Sequence, residues 1–350
     1  MLALAAVPAL ASAAVGAQAG GAPSALAATA VPPVPHPIPL RALRVIGFGG
    51  GFNLPIWAGL RQGFFAAEGL HVDLHFTPSS MYQITNLLAG RYDIAMTALD
   101  NVVAYQEGQN EAPIGPDPDL FAFFGSDNAF LSLVAQRPYR RVGDLRGKTL
   151  TVDAMTTGFA FVLREILARH GVAESDVRFE RAGGVASRFR AMSENPRHAA
   201  TMQMTPFELA GEARGMNTLL RADDVLGAYA GMCGVARRSW AQAHEREVVG
   251  FTRAYHRAVQ WLVEPAHRPL AEAMLVAHLA HLDPPLAPRA AAILLAERGG
   301  FRRDLSIDPE GARVVLELRS RYGQPRRQLT DVSRYVDMRY RDLAFAAGRT

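Results

Sequence analysis

The chain has 350 residues, of which 49% are hydrophobic and 20% are charged, and its formal net charge is +4. This composition is that of an ordinary globular protein and excludes a disordered chain, while the length favours two domains or lobes over a single core. The basic residues form no stripe with interleaved aromatic side chains, so the sequence argues against nucleic-acid binding.

The first thirty residues are almost all small or apolar and resemble a signal peptide, although the usual basic start is missing. Small-residue cleavage sites lie at Ala17–Ala19 and at the end of the run, at Ala30. The proline-rich stretch Val31–Pro39 then predicts an extended linker, because proline fits neither a helix interior nor a central strand. No later apolar run reaches the ~20 residues that a spanning helix needs. We therefore expect export of a soluble mature protein.

Residues 63–109 predict two strands joined through a helix. The segment His71–Phe76 alternates polar and apolar residues as a strand does, and YDIAMTA forms a second, apolar strand. Between them, Ser79 or Ser80 is placed to cap a helix that ends at Gly90. A strand, a helix and a strand in this order indicate a parallel sheet, and ligands bind at the carboxyl ends of such strands.

The same alternation continues to Trp240 and then stops. Leu120–Gln136 predicts strand-like chain interrupted by Gly-Ser-Asp-Asn, and a second crossing strand is expected near Ala228–Ala236. Between these crossings lie a strand at Thr149–Val152, a helix at about 159–170 ended by Gly171, a strand in VRFERAGG, a short helix in ASRFRAMSEN, the strand HAATMQM and the helix TPFELAGEARG. After Trp240 only helices are predicted, at about 251–262, 267–282, 286–298, 309–322 and 331–347.

Three motifs in order carry a family resemblance: GFFAAEGLHVDL, LLAGRYDIA and TALDNVVAYQEGQ. In this order and spacing the chain resembles solute-binding proteins of bacterial ABC importers. The likeness is to the branch that binds nitrate, taurine, alkanesulfonates and thiamine pyrimidine precursors, and it runs from about Arg41 to Pro265.

The resemblance implies an α/β, two-lobed type II periplasmic-binding-protein fold with two hinge crossings and a helical C-terminal tail. Residues 1–38 would be the export signal and linker, residues 39–126 with 231–350 the first lobe, and residues 127–230 the second. A small-molecule ligand would sit between the lobes of a monomer that closes on it and delivers it to a membrane permease.

The candidate ligand contacts lie in loops where strands end or cross between lobes. Each also has a purely structural interpretation, such as a helix cap or a partner for backbone groups. At the start of the 159–170 helix, free N–H groups and threonine hydroxyls suit an anionic or carbonyl oxygen, whereas acidic residues in other loops suit a ligand with N–H or O–H donors. The candidates are Phe52, Asn53, Ser80, Tyr82, Thr97, Asp100, Asp127, Asn128, Thr156, Thr157, Gly158, Thr205 and Tyr229.

Other chemistry finds little support in the sequence. GFGGGFN places a phenylalanine where a dinucleotide-binding loop needs its third glycine, and His244-Glu245 lacks the second histidine of a zinc-protease motif. We therefore predict no cofactor, no metal and no catalytic residue.

Two alternatives to transport remain open: an enzyme on the same fold, and a receptor or sensor. Enzymes related to this family include a pyrimidine synthase, which uses a cysteine-rich motif and a lysine that binds pyridoxal phosphate, and a desulfinase with a cysteine nucleophile. This chain has a single cysteine, Cys233, and Lys148 is expected outside the cleft. A receptor or sensor role cannot be separated from transport by sequence.

Overall fold

The computed structural model describes residues 40–346, so the predicted leader and the predicted linker both lie outside the described residues. This part of the chain contains two five-stranded sheets with helices packed on them. Its strands are β1 Arg41–Gly47, β2 Leu70–Phe76, β3 Ile94–Ala98, β4 Phe121–Gly125, β5 Leu131–Ala135, β6 Thr149–Val152, β7 Arg178–Arg181, β8 His198–Met204, β9 Asn217–Arg221 and β10 Met232–Ala236.

The helices alternate with the strands up to β10 and then follow one another. They are α1 Leu54–Arg61, α2 Phe64–Ala67, α3 Ser80–Leu88, α4 Leu99–Gln106, α5 Gly158–Arg169, α6 Val185–Glu194, α7 Phe207–Ala213, α8 Ala222–Leu226, α9 Arg238–Ala243, α10 Glu245–Val263, α11 Arg268–His278, α12 Ala287–Leu294, α13 Pro309–Tyr322 and α14 Arg339–Ala346.

The two sheets share one topology. The first has the order β2-β1-β3-β10-β4, and the second has the order β7-β6-β8-β5-β9. In the first, β1 is parallel to β2 and β3, while β10 is antiparallel to its neighbours. In the second, β6 is parallel to β7 and β8, while β5 is antiparallel to its neighbours. Each lobe therefore receives its antiparallel strand directly after the chain has crossed from the other lobe.

Local sequence signals explain many of the element ends. Ser79 caps α3, because its hydroxyl accepts a hydrogen bond from the Tyr82 N–H at 3.2 Å. Gly171 follows α5 with a φ of 70°, a conformation that glycine adopts without steric cost. Strand β3 is buried along its whole length, which accounts for its continuous apolar sequence.

Three sequence-based predictions about elements are wrong. The prediction misses β9 and α8, whose short polar sequences give a weak periodic signal. It places one helix over 331–347, where the structure has a 3₁₀ turn at Val332–Arg334 and then α14. It also names Thr205 as the cap of α7, whereas the Thr205 hydroxyl donates to the Glu208 carboxylate at 2.6 Å.

The C-terminal part of the chain supports the first crossing. The Gly125 N–H donates to the Leu305 carbonyl at 2.9 Å, and the Arg302 N–H donates to the Ser126 carbonyl at 2.7 Å. Helix α10 buries the predicted apolar face, and its Tyr255 hydroxyl lies 2.7 Å from the Ser126 hydroxyl. Helix α13 packs against both α4 and α5, so it contacts elements on both sides of the crossings.

Candidate ligand-binding site

A narrow cavity of about 30 Å³ lies where the two sheets face each other. The loops and helix starts that follow parallel strands of both sheets form it, as expected for α/β folds. Its lining residues are Phe48, Ser80, Ala98, Asp100, Asn101, Asp153, Thr157, Gly158, Phe159, Val185, Arg188, Met204 and Met232.

The walls of the cavity are mostly apolar. Phe48 follows β1, and Met232 begins β10 of the first sheet. Phe159 lies in the first turn of α5, and Met204 ends β8 of the second sheet. Aromatic and thioether side chains from both sheets therefore surround a small number of polar groups, which is the usual construction of a small-molecule site.

Asp153 lines the cavity and carries an acceptor without a protein donor among the described residues. Its Oδ2 accepts a hydrogen bond from the Ser80 N–H at 2.9 Å, which joins the loop after β6 to the start of α3. Its Oδ1 is buried and has no hydrogen-bond partner among the described residues. A buried carboxylate oxygen left in this state is costly, so a ligand that donates a hydrogen bond to it gains affinity.

Arg188 is a buried cation in the cavity wall, with 3% of its surface exposed. Its guanidinium donates to the Gly183 carbonyl at 2.9 Å and to the Met202 carbonyl at 3.2 Å. Burial lowers the pKa of Arg188 to about 10, against the opposing effect of the Asp153 carboxylate. Arg188 therefore stays charged at neutral pH.

At the start of α5 the structure differs from the sequence-based expectation. The Gly158 N–H is not free, because it donates to Asp100 Oδ2 at 2.6 Å. Asp100 also accepts hydrogen bonds from Arg319 Nε at 2.6 Å and Nη2 at 2.5 Å. Arg319 Nη2 donates in addition to the Thr156 carbonyl at 2.7 Å. A carboxylate of the protein itself thus occupies the position where an anionic ligand was expected.

Four of the sequence-predicted contacts line this cavity, and nine do not. The four are Ser80, Asp100, Thr157 and Gly158. The nine that are not part of the lining are Phe52, Asn53, Tyr82, Thr97, Asp127, Asn128, Thr156, Thr205 and Tyr229.

Phe52 and Asn53 shape the first loop from behind. Phe52 is 3% exposed and belongs to the core, and its ring lies against Gly50. The Asn53 amide donates to the carbonyls of Phe48 at 2.6 Å and of Gly50 at 3.0 Å. Asn53 thereby holds the loop in the shape that brings Phe48 to the cavity.

The three predicted contacts near the crossings do not line the cavity. Asp127 Oδ1 accepts from the N–H groups of Ala129 at 2.8 Å and Met232 at 3.1 Å, and burial raises the pKa of Asp127 to about 6. Asn128 donates to Asp308 at 3.4 Å. The Tyr229 hydroxyl is buried beside Gly158 and has no partner among the described residues.

The remaining candidates have other surroundings. Tyr82 is 42% exposed, and Thr97 accepts a hydrogen bond from the Asn101 amide at 2.8 Å beneath the cavity. Thr156 contributes its carbonyl to Arg319. Thr205 is fully buried against Glu208. These residues support the neighbouring elements.

Residues 53–267 match the family described as NMT1/THI5 like, and this match covers more than half of the chain. The chain belongs to the NMT1/THI5-like family. The resemblance inferred from the three sequence motifs is therefore confirmed. No curated protein sequence matches this NMT1/THI5-like chain.

Solved structures with the same fold include transport proteins and an enzyme. The ligand-binding component of an ABC-type import system from Staphylococcus aureus, with zinc bound, has a TM-score of 0.69 at 14% identity over 87% of this chain and 99% of its own. The periplasmic nitrate-binding protein NrtA from Synechocystis PCC 6803 has a TM-score of 0.69 at 12% sequence identity, and the match covers 89% of each chain. The desulfurization enzyme DszB has a TM-score of 0.58 at 12% sequence identity, and the match covers 88% of this chain and 99% of DszB. The predicted two-lobed type II periplasmic-binding-protein fold is thus confirmed.

The lining residues that the sequence analysis missed carried usable signals. Asp153 directly follows β6. Like Asp100 after β3, it is a polar residue in a loop at the end of a strand, where ligands bind in α/β folds. Arg188 lies on the same face of α6 as the buried Val185, Phe189 and Met192, and a single arginine within an apolar stripe indicates a buried charge.

The residues that the enzymatic alternatives would use, Cys233 and Lys148, lie outside the cavity of the NMT1/THI5-like chain. Within residues 40–346, no three His, Cys, Asp or Glu side chains are grouped so that they could hold a metal ion. Cys233 is 1% exposed, and Lys148 lies with its ammonium 5.5 Å from the centre of the Tyr139 ring; neither lines the cavity. Nor does any helix in the described range have the length and apolar character needed to cross a membrane.

Proposed function

We propose that this protein is the exported, periplasmic solute-binding component of an ABC importer and holds a small organic molecule in the cavity described above. One observation carries the proposal: both sheets contribute to the walls of a single, mostly apolar cavity with a few polar groups directed into it. Two of the similar structures support the same interpretation, since one is the ligand-binding component of an ABC-type import system and the other is a periplasmic nitrate-binding protein.

The proposed mechanism is binding followed by hinge closure. The lobes comprise residues 39–126 with 231–350 and residues 127–230, and the monomer closes about the two crossings. Ligand contacts from both lobes exist together only in the closed form, so the ligand stabilises that form. The membrane permease of the importer is the proposed partner that recognises it.

We propose that no bond of the ligand is made or broken. The enzymatic alternatives, desulfinase-like or pyrimidine-synthase-like, need a reactive side chain at the cavity, and the enzyme DszB shares this fold. Burial, with a contribution from Asp127, raises the pKa of the Cys233 thiol and disfavours the nucleophilic thiolate. We therefore expect iodoacetamide to leave Cys233 unmodified in the native protein; rapid alkylation would favour the desulfinase alternative.

A ligand search on the purified protein tests the binding proposal. Thermal unfolding is measured with nitrate, taurine, alkanesulfonates, carboxylates and aminopyrimidines, and mass spectrometry identifies any small molecule released when protein from its native host is denatured. A specific ligand raises the melting temperature by linkage. If no compound stabilises the protein and none is released from it, the binding function is wrong.

Matched phenylalanine variants then place the ligand. Phe48 lines the cavity. Phe64 is also half-buried, but it lies on α2, where its ring contacts the Arg257 guanidinium. Phe48→Ala should weaken binding by roughly 1.5–3 kcal/mol, which corresponds to about tenfold to a hundredfold in Kd. Phe64→Ala should leave the affinity unchanged. Equal effects of the two variants would place the ligand elsewhere.

A further inference from the structure

We infer that Asp100 is a specificity-determining residue: it occupies the start of α5 as a fixed anion and thereby keeps anionic ligands from that position. The inference rests on the proposed binding function and names the kind of ligand group that the cavity accepts at this position. That kind is an uncharged or cationic group.

The start of α5 has the features of an anion site. The helix has 12 residues, and its first N–H groups and its dipole both favour negative charge at that end. Arg319 reaches the same point from α13 and is fully buried, with its charge directed at the oxygens gathered there. Without Asp100, these groups would form a buried cationic pocket.

Asp100 fills this pocket completely. Its carboxylate is 2% exposed and is held by two bonds from Arg319 and one from the Gly158 N–H. A Cβ atom at position 158 would collide with both the Asp100 carboxylate and the Tyr229 hydroxyl, so the close approach requires glycine there. The donors of the helix start and of Arg319 are therefore already used by the protein.

The consequence for the cavity follows from these occupied donors. An anionic group placed at the α5 end finds the Gly158 N–H and the Arg319 guanidinium already bonded to Asp100, so it gains no hydrogen bond from them. Arg188, the cation of the lining, lies on α6 away from this end and uses two of its five N–H donors on backbone carbonyls. Asp153, also in the lining, has a buried oxygen, Oδ1, without a partner among the described residues, and this oxygen accepts and does not donate.

A chemical-rescue experiment tests the inference without requiring the natural ligand. Asp100→Ala removes the fixed anion and leaves a space that fits formate beside Arg319 and the Gly158 N–H. Melting temperatures are measured in sodium formate and in sodium chloride at equal ionic strength for three proteins: the wild type, Asp100→Ala, and Asp100→Ala with Arg319→Met. Formate should raise the melting temperature of Asp100→Ala saturably, and it should leave the wild type and the double variant unchanged.

Two outcomes overturn the inference: formate fails to stabilise Asp100→Ala, or it stabilises the wild type equally. If Asp100→Ala does not fold, Asp100→Asn keeps the shape and removes the charge; it should bind methanesulfonate at least tenfold more tightly than the wild type by calorimetry. Equal affinities would contradict the inference. A failed ligand search leaves the formate rescue intact, so failure of the proposed function is distinguishable from failure of this inference.

Discussion

Glu208 accepts a hydrogen bond from the Thr205 hydroxyl at 2.6 Å through one carboxylate oxygen, and its other oxygen is buried without a partner among the described residues. The side chain sits in the first turn of α7 with 3% of the residue exposed. Burial raises the pKa of Glu208 to about 7, although the bond from Thr205 opposes this shift.

This arrangement predicts that stability falls as pH rises. Between the ordinary carboxyl pKa near 4.5 and the raised value of about 7, the native state binds a proton that the unfolded state has lost. The free energy of unfolding should therefore decrease by roughly 3 kcal/mol from Glu208 between about pH 4.5 and pH 8. Glu208→Gln removes this loss and should make the protein more stable than the wild type at pH 8, with little difference at pH 5.

Urea unfolding at pH 5 and pH 8 measures the effect. Glu310→Gln is the control, because the Glu310 side chain is 69% exposed. A Glu208→Gln variant that shows the same pH dependence as the wild type would mean that Glu208 is ionised in the native protein.

Thr157 should contribute to binding and Thr156 should not. Thr157 lines the cavity, and its hydroxyl donates to the Ala154 carbonyl at 3.0 Å, while Thr156 offers only its carbonyl to Arg319. We expect Thr157→Val to weaken ligand binding by about 1–3 kcal/mol and Thr156→Val to change it little. Calorimetry with a ligand found by the search measures both affinities. Unchanged affinity in both variants would mean that the Thr157 hydroxyl serves only the backbone at the start of α5.

Arg319 should be far more important for stability than Arg321 on the same helix. Arg319→Met leaves the Asp100 charge buried with only the Gly158 N–H as a donor, so we expect the free energy of unfolding to fall by about 3–5 kcal/mol.

Arg321 on the same helix is the control. Its side chain is 58% exposed, and its partner Glu165 retains the hydrogen bonds from Arg169 and Tyr322. Arg321→Met should cost below ~1 kcal/mol in denaturant unfolding. Similar losses for both variants would contradict the structural role assigned to the Asp100 pair.

The leader should be absent from the mature protein. The composition of the first thirty residues and the proline-rich linker predict removal on export. The intact mass of periplasmic protein from the native host should correspond to a start at or before the linker. A cytoplasmic protein that begins at Met1 would refute the proposed localisation.

The sequence predicted the fold well because the signals for elements are local. Alternating residues in β2, the Ser79 cap and the Gly171 stop each depend on a few neighbours, and the structure has each of them. The three motifs carried the family resemblance, which implied the two-lobed fold. The weak elements β9 and α8 were missed because their conformation depends on pairing and packing with distant residues.

The site was predicted less completely, since proximity to a helix start does not show what already occupies it. Asp100 and Arg319 lie 219 positions apart, so no local pattern reveals that they meet at Gly158. Thr97 and Asp127 have the residue type and loop position of ligand contacts, but their polar atoms are satisfied within the protein. Asp153 and Arg188 were accessible to the same reasoning and were overlooked.

Small-angle scattering with and without a confirmed ligand tests the central claim most directly. The two crossings are the covalent links between the proposed lobes, and a ligand in the cavity would contact both lobes. We predict a smaller radius of gyration at saturating ligand than in the free protein. Identical profiles in the free and saturated states would contradict hinge closure around the ligand.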